Sequence, residues 1–587
     1  MPLKLIRKLA ESFGEYKKQL LLTMLFVCIE CVFDILLPRF MAKLIDLGIE
    51  SGKVPNIFLY GGLLLLTALL ALVTGIMNAR FAAICSAGFA KNLRRRIYAK
   101  VQTFSFSNID RFSTSGLVTR LTTDVSNVQM AAQQIIRTVA RAPLMIIFVL
   151  ISAFSISTRL SVVFLYFVPF AAIALILIMK ITFPLMERVF TTYDSMNNVV
   201  QENVRAVRVV KSFIREDYET EKFTKVSGLI KNLFTRAEKL MALNRPVMQL
   251  TMNAPFLMVA WVGARLIVQS GNDPARGMTT GYLMTMIAYT SQLLMNVMGI
   301  SMIFAMLTIS RASAERICEV LDDESTIVNP ADPITEVHDG SIDFENVSFS
   351  YQGEGGRLSL KDISIHISPG ETIGIVGGTG SSKSTLVQLI PRLYDATEGT
   401  VRVGGEDVRR YDLDALRGAV AMVLQKNELF SGTIKSNLRW GNEFATDEQL
   451  VHACQVAQAD EFIRSFPNGY DSVIEQGGTN VSGGQKQRLC IARALVGSPK
   501  ILILDDSTSA VDTQTDALIR KAFREELPDT TKIIIAQRID SVKDADKILV
   551  MDNGQIVAFD SHESLLANSP IYREVYQSQV KGGEESA

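Results

Sequence analysis

The chain has 587 residues, of which 48% are apolar and 20% charged. Its 60 Lys and Arg balance its 60 Asp and Glu, which excludes the net positive field of a nucleic-acid binder. A mean hydropathy of +0.22 without net charge excludes global disorder, and apolar blocks of about twenty residues before position 310 exclude a wholly soluble chain.

The N-terminal stretch MPLKLIRKLAESFGEYKK is too polar for a signal peptide. Beyond it, six stretches are long and apolar enough to span a bilayer: 20–43, 58–80, 139–157, 160–181, 247–270 and 281–308. Only Ser157–Arg159 separates the third from the fourth. Prolines such as Pro38 and Pro169 do not exclude helices here, because membrane neighbours can satisfy the freed carbonyls. Lys4, Arg7, Lys8, Lys17 and Lys18 precede the first span, and Lys91, Arg94, Arg95, Arg96 and Lys100 follow the second. The connection between spans one and two offers only Lys53, and that between spans five and six only Arg276. The positive-inside rule then predicts a multi-pass protein of the cell membrane with both termini in the cytoplasm. The inner connections run to roughly 60 residues with helical periodicity, which predicts that the spans continue far beyond the bilayer.

Glu30 and Asp34 fall inside the first span, one helical turn apart and on one face. Charge at that depth faces a cavity or a partner. The pair is either structural, against Arg39 or a neighbouring helix, or a cavity site for cationic or amphipathic substrate. Met248, Met252, Phe256, Met284, Met286, Met295 and Met298 suit an adaptable cavity and ordinary helix packing equally well. The six cysteines are scattered, so neither a zinc site nor a disulfide framework is expected.

After a polar stretch at 311–340, expected as a linker, the pattern becomes that of a soluble α/β domain over 341–587. IDFENVSFSY (342–351) and ETIGIVG (371–377) read as strands. The second runs into Gly377, Gly378, Thr379, Gly380, Ser381, Ser382, Lys383, Ser384 and Thr385, followed by a helical run. A strand, a glycine-rich turn and a helix present backbone N–H groups to a phosphate, with Lys383 reaching the terminal phosphates and Ser384 ligating Mg²⁺. Ser382 stands where the usual motif has glycine; a Cβ in an unusual φ there costs about 1 kcal/mol. The plainer reading is an ordinary turn. ILILDD (501–506) reads as a central parallel strand whose edge brings Asp505 to the Mg²⁺ shell; the plainer reading is a pair of capping aspartates. KIIIAQR (532–538) ends similarly at Gln537.

Between them lies NVSGGQKQRLCIARAL (480–495). Val481, Ser482, Gly483, Gly484 and Gln485, with the phosphate loop upstream and the aspartates downstream, resemble the signature of ATP-binding cassette (ABC) proteins. The resemblance covers nearly the whole chain and is to an exporter half-transporter. It implies an all-α six-helix transmembrane domain of the type I exporter fold over 1–310, followed by an α/β P-loop nucleotide-binding domain. It further implies ATP and Mg²⁺ as ligands, and coupling segments at IDRFSTSG (109–116) and ENVRAVRVVKSFIRE (202–216). Tyr351 matches the adenine-stacking aromatic, Gln425 the residue that senses Mg²⁺ and the lytic water, Glu475 the loop that communicates with the membrane domain, and SAVD (509–512) the loop that crosses the dimer interface.

Two departures fall on chemistry. Asp506 stands where exporters carry Glu, so its carboxylate falls about 1.5 Å short, and a misplacement near 1 Å can cost about 100-fold in rate. Gln537 replaces a His and cannot become cationic. With an intact signature, this pattern resembles the degenerate-site subunit of bacterial heterodimeric multidrug-type exporters. The expected partner is a second, non-identical half-transporter carrying the missing Glu and His. The expected cargo is an amphipathic small molecule, with a lipid or peptide, a slow homodimer, or an ATP-gated channel as alternatives.

Overall fold

The structure, a computed structural model, describes residues 3–273, 277–353 and 355–584. The chain folds as two units, 1–102 with 114–323, and 103–113 with 324–587.

In the first unit, five helical runs among the described residues are long and apolar enough to cross a membrane: Leu5–Ile49, Val54–Gln102, Thr114–Ile156, Thr158–Arg205 and Gln249–Ser270. The sixth expected span lies in the helix Thr280–Asp322, whose side chains at 301–305 and 307–309 fall outside the described residues. That helix also runs through the first part of 311–340, so the expected linker begins as an extension of the span. The apolar side chains stay exposed along these helices, Leu65, Leu69 and Ile173 among them, as lipid rather than protein packing requires. Ser157 is extended (φ −156°) between Ala140–Ile156 and Thr158–Arg205, and makes the sharp turn expected between the third and fourth spans.

Val54–Gln102 has 49 residues. At 1.5 Å per residue it is about 73 Å long, more than twice a hydrocarbon core. The extensions are tied together by charge. Arg316 donates through Nε to Asp124 Oδ2 at 2.8 Å and through Nη2 to the other oxygen. Asp124 is fully buried, and these bonds hold its carboxyl below the usual range against the opposing effect of burial.

Proline placement has a visible consequence within the spans. Pro38 has no N–H, so the carbonyl of Asp34 loses its helical partner. Gln292 of the last helix supplies one, Nε2 to Asp34 O at 3.1 Å, and Tyr289 donates to the neighbouring Ile35 O at 2.9 Å.

The second unit is a cassette of two main sheets. Strands β1 (Ile342–Phe349), β2 (Leu360–Ile367), β4 (Glu398–Val403) and β5 (Glu406–Asp407) form an antiparallel sheet in the order β2-β1-β4-β5. A six-stranded sheet runs β12-β11-β3-β10-β9-β6, with β3 at Thr372–Gly377, β6 at Val420–Val423, β9 at Ile501–Asp505, β10 at Thr531–Ile535, β11 at Lys547–Asp552 and β12 at Gln555–Asp560. A small pair joins β7 (Gly432–Thr433) to β8 (Val473–Ile474). Alternation decides the two faces. Ile373, Ile375, Ile501, Ile503, Ile533 and Ile535 pack toward the antiparallel sheet, whereas Leu502, Leu504 and Ile534 pack under the helices. With both faces covered, β9 and β10 are buried at every position and rich in Ile and Leu, as buried parallel strands are.

The cassette unit also holds residues 103–113 of the first inner connection. Their short helix, Phe106–Phe112, begins at a Ser105–Asn108 capping box. It meets the cassette through Asp110, whose Oδ2 accepts from the Tyr394 hydroxyl at 2.6 Å, and through Phe106, packed edge-on against the same ring. The corresponding part of the second connection, the helix Val207–Ser212 in the membrane unit, ends in Phe213 and Ile214, which are 73% and 85% exposed.

Candidate nucleotide site

The strand order sets the site. β10 lies between β3 and β9, in parallel register with both, and Ile535 pairs with Asp505. The C-terminal edges of β3, β9 and β10 therefore converge, and the loops leaving them carry the glycine-rich turn, Asp505–Asp506 and Gln537.

The turn from Gly378 to Gly380 is exposed, and Gly380 has φ +84°. Ser382, just before the helix Lys383–Gln388, adopts φ +70° and ψ +26°. The backbone keeps the left-handed conformation that glycine normally supplies, so the serine bears the strain. Lys383 folds over the loop, with Nζ 2.9 Å from Gly377 O and 3.0 Å from Gly378 O. Burial lowers its pKa from the usual lysine range. Ser384 Oγ donates to Asp505 Oδ1 at 2.9 Å. A hydroxyl and one carboxylate brought together in this way are hard oxygen donors of the kind Mg²⁺ takes beside phosphate oxygens. Burial raises the pKa of Asp505, and neighbouring Asp506 adds to the shift.

Asp506 also has a left-handed backbone, φ +51°. Its Oδ2 accepts from Gln537 Nε2 at 2.7 Å. Burial still holds its carboxyl above the ordinary range. Asp506 and Gln537, both singled out at this edge, thus form one hydrogen-bonded pair.

Tyr351 is 51% exposed and stands edge-on to Phe349 and Tyr394, at 4.9 and 5.3 Å between ring centres. Its hydroxyl lies 3.1 Å from Thr385 Oγ1. Tyr394 was not among the residues read from the sequence. An isolated tyrosine after a helix gives no signal, and only the fold sets it between Tyr351 and Asp110.

The signature lies apart from this edge on the same cassette. Ser482 caps the helix Gly483–Val496 in a capping box: Gln485 N–H donates to Ser482 Oγ at 3.3 Å, and Ser482 N–H to Gln485 Oε1 at 2.9 Å. Val481 is half-buried, and Ser482 and Gly483 are exposed. Gly484 approaches the 509–512 loop so closely that a Cβ would lie 2.9 Å from Ala510 O. Gln487 reinforces this contact by accepting from Ala510 N–H at 2.9 Å. Glu475 is exposed and accepts from Thr479 Oγ1 at 2.9 Å.

In the membrane unit, Glu30 and Asp34 meet Arg141 rather than Arg39. Arg141 donates to Glu30 Oε1 at 2.9 Å and to Asp34 Oδ2 at 2.7 Å. Arg39 turns instead to Ser152 O and Ser155. An arginine inside the third apolar stretch was the available signal for this pairing. Among the methionines, Met286 is buried, Met284 and Met295 are exposed, and the side chains of Met248, Met252 and Met298 lie outside the described residues.

This architecture defines a membrane-spanning helical domain fused to an ATPase cassette. The model of the ABC transporter transmembrane region matches residues 20–297, and that of the ABC transporter cassette matches 360–509. The chain is 34% identical over 566 residues to the ABC transporter ATP-binding protein YfiB of Bacillus subtilis, covering 96% of this chain and 97% of that one. It is 32% identical over 495 residues to the ATP-dependent lipid A-core flippase of Desulfotalea psychrophila, covering 83% of this chain and 84% of that one. A bacterial Atm1-family ABC exporter with ATP bound shares the fold, with a TM-score of 0.77 at 23% identity, over 96% of this chain and 99% of that one. The chain belongs to the ABC transporter family, with its transmembrane region and its ATPase cassette in one polypeptide.

Proposed function

We propose that this chain is the degenerate-site subunit of a heterodimeric exporter that moves amphipathic, drug-like molecules out of the cytoplasm. The observation that carries this reading is the Asp506–Gln537 pair. The short carboxylate where a general base belongs is engaged by an amide that cannot become cationic. In this reading residues 377–385 bind the ATP phosphates, Tyr351 stacks on the base, and Ser384, Asp505 and Gln425 hold Mg²⁺. The ion would neutralise phosphate charge there. Val481, Ser482, Gly483, Gly484 and Gln485 act on ATP held by the partner, whose own Glu and His complete a hydrolytic site. The cassette and both termini lie in the cytoplasm, a reading supported by the Lys and Arg flanking the first two spans.

The test compares Mg-ATP binding and steady-state turnover by the purified chain with turnover by the co-expressed pair. Binding with very poor turnover is expected for the chain alone. Turnover at ordinary exporter rates by the single chain would reject the degenerate-site reading and leave a homodimer.

The flippase relative favours a second reading in which the cargo is a lipid. ATP-dependent movement of a labelled phospholipid between leaflets of reconstituted vesicles, with no accumulation of drug-like cations, would select it.

A further inference from the structure

β10 ends at Ile535, and the chain bends through Gln537 and Arg538 before the short helical turn Ile539–Ser541. A bend that leaves a sheet releases its backbone groups from the ladder, and they must find partners elsewhere. Here one side chain serves two of them. Gln579, on the helix Pro570–Glu584, accepts from Ile539 N–H through Oε1 at 2.9 Å and donates through Nε2 to Gln537 O at 2.9 Å. A primary amide carries an acceptor and a donor side by side, so it can bridge a C=O and an N–H two residues apart as a neighbouring strand would. Gln537 is therefore held twice, by Asp506 at its side chain and by Gln579 at its main chain. The helix itself is anchored elsewhere. Tyr572 is 1% exposed in the cassette core, and Tyr576 packs against the same core. Ile571, Tyr572 and Val575 line a cavity of about 290 Å³ with Gly377 and Gly378 of the phosphate loop. Gln579 lies about 10 Å further along the helix from Tyr572, on the same face. It is exposed and adds little to the docking of the helix; what its two bonds determine is the bend.

We infer that Gln579 is a positioning residue of the nucleotide site, which sets the main chain of Gln537 and so aims its side chain at the terminal phosphate of ATP. The inference rests on the reading that residues 377–385 hold ATP. Asp505, adjacent to the Asp506 that Gln537 meets, bonds Ser384 beside Lys383, which puts Gln537 on the terminal-phosphate side of that loop. The consequence is selective. A bend displaced by about 1 Å loses a hydrogen bond to the terminal phosphate, while the phosphate loop that binds ADP is untouched. General loosening of the helix would act instead through the cavity beside Gly377 and Gly378, and would weaken both nucleotides.

The test is competition of Mg-AMP-PNP and of Mg-ADP against a fluorescent ATP analogue bound to the full chain in nanodiscs. AMP-PNP carries the terminal phosphate without being turned over. Gln537→Ala should weaken AMP-PNP about tenfold and Gln579→Ala several-fold, with ADP unchanged in both. On the Gln537→Ala background, Gln579→Ala should add nothing, because it acts through that side chain. Gln579→Glu keeps the acceptor for Ile539 N–H and loses the donor to Gln537 O, so it should fall between the unsubstituted chain and Gln579→Ala. Should Gln579→Ala not fold, Gln579→Glu carries the same comparison. The inference is overturned if AMP-PNP and ADP weaken together, if neither changes, or if the two alanine substitutions are additive. Binding of neither nucleotide by the unsubstituted chain would overturn the ATP-holding reading and the inference with it. Binding of both with a ratio that Gln579→Ala leaves unchanged overturns the inference alone.

Discussion

The two functional edges of the cassette are built from the same motif family but to different standards. At the signature edge every local requirement agrees. Ser482 and Gln485 complete a capping box, Gly484 lacks the Cβ that would meet Ala510 O, and Gln487 fastens the helix to the 509–512 loop. At the phosphate-loop edge two non-glycine residues, Ser382 and Asp506, hold left-handed backbones at φ +70° and +51°. The backbone there takes the left-handed path although neither side chain favours it. In the proposed reading, this edge holds nucleotide and the partner's site cleaves it.

Changing the signature edge should have the largest effect. Gly484→Asp puts a Cβ against Ala510 O and a carboxylate where the partner's ATP phosphates are expected. Like-charge repulsion in a closed interface is severe, so ATPase of the co-expressed pair should fall at least about 100-fold. Retained ATP binding by the isolated chain would show that the cassette still folds.

Lys383→Ala should come next. It removes the cation nearest the phosphate-loop carbonyls. Equilibrium binding of a fluorescent ATP analogue to the purified chain should weaken about tenfold or more. Turnover by the pair should fall less than with Gly484→Asp. The reverse order would mean that the two edges carry each other's roles.

Asp506→Ala should reduce turnover of the pair by only a few-fold, because a carboxylate one methylene short of the usual position and already bonded to Gln537 is poorly placed as a base. The double change Asp506→Glu with Gln537→His should add turnover at this edge, measured with the partner's own site inactivated. Full recovery is not expected, because glutamate tolerates a left-handed backbone less well than aspartate. Abolition of turnover by Asp506→Ala alone would erase the contrast between the edges.

Ser382→Gly should have the smallest effect. It relieves about 1 kcal/mol of backbone strain, but glycine also loses more entropy on folding. The midpoint of cassette unfolding should therefore move by under about 3 °C in differential scanning fluorimetry. A larger rise would show that the strain is not offset.

Much of this was legible in the sequence because the relevant patterns are local. The break at Ser157, the strand 501–505 and the signature at 481–485 each depend on residues a few positions apart. Ser382 could be read as strained because the motif specifies a backbone conformation and the residue does not suit it. The pairing of Asp506 with Gln537 was a different matter. The residues are 31 apart, and nothing local joins them until β9 and β10 lie side by side in parallel register.

The sequence by itself determined the apolar spans, the phosphate loop and signature, and the departures at positions 382, 506 and 537. These rest on composition, periodicity and motif spacing, which need no knowledge of what packs against what. Tertiary structure alone decided that Glu30 and Asp34 answer to Arg141 rather than Arg39, that Gln292 caps the carbonyl freed by Pro38, and that Tyr394 bridges Tyr351 and Asp110. Each of those contacts joins elements far apart in the chain. The physical reason is that a buried polar group must find its partner in space, and linear sequence does not encode which distant element will supply it.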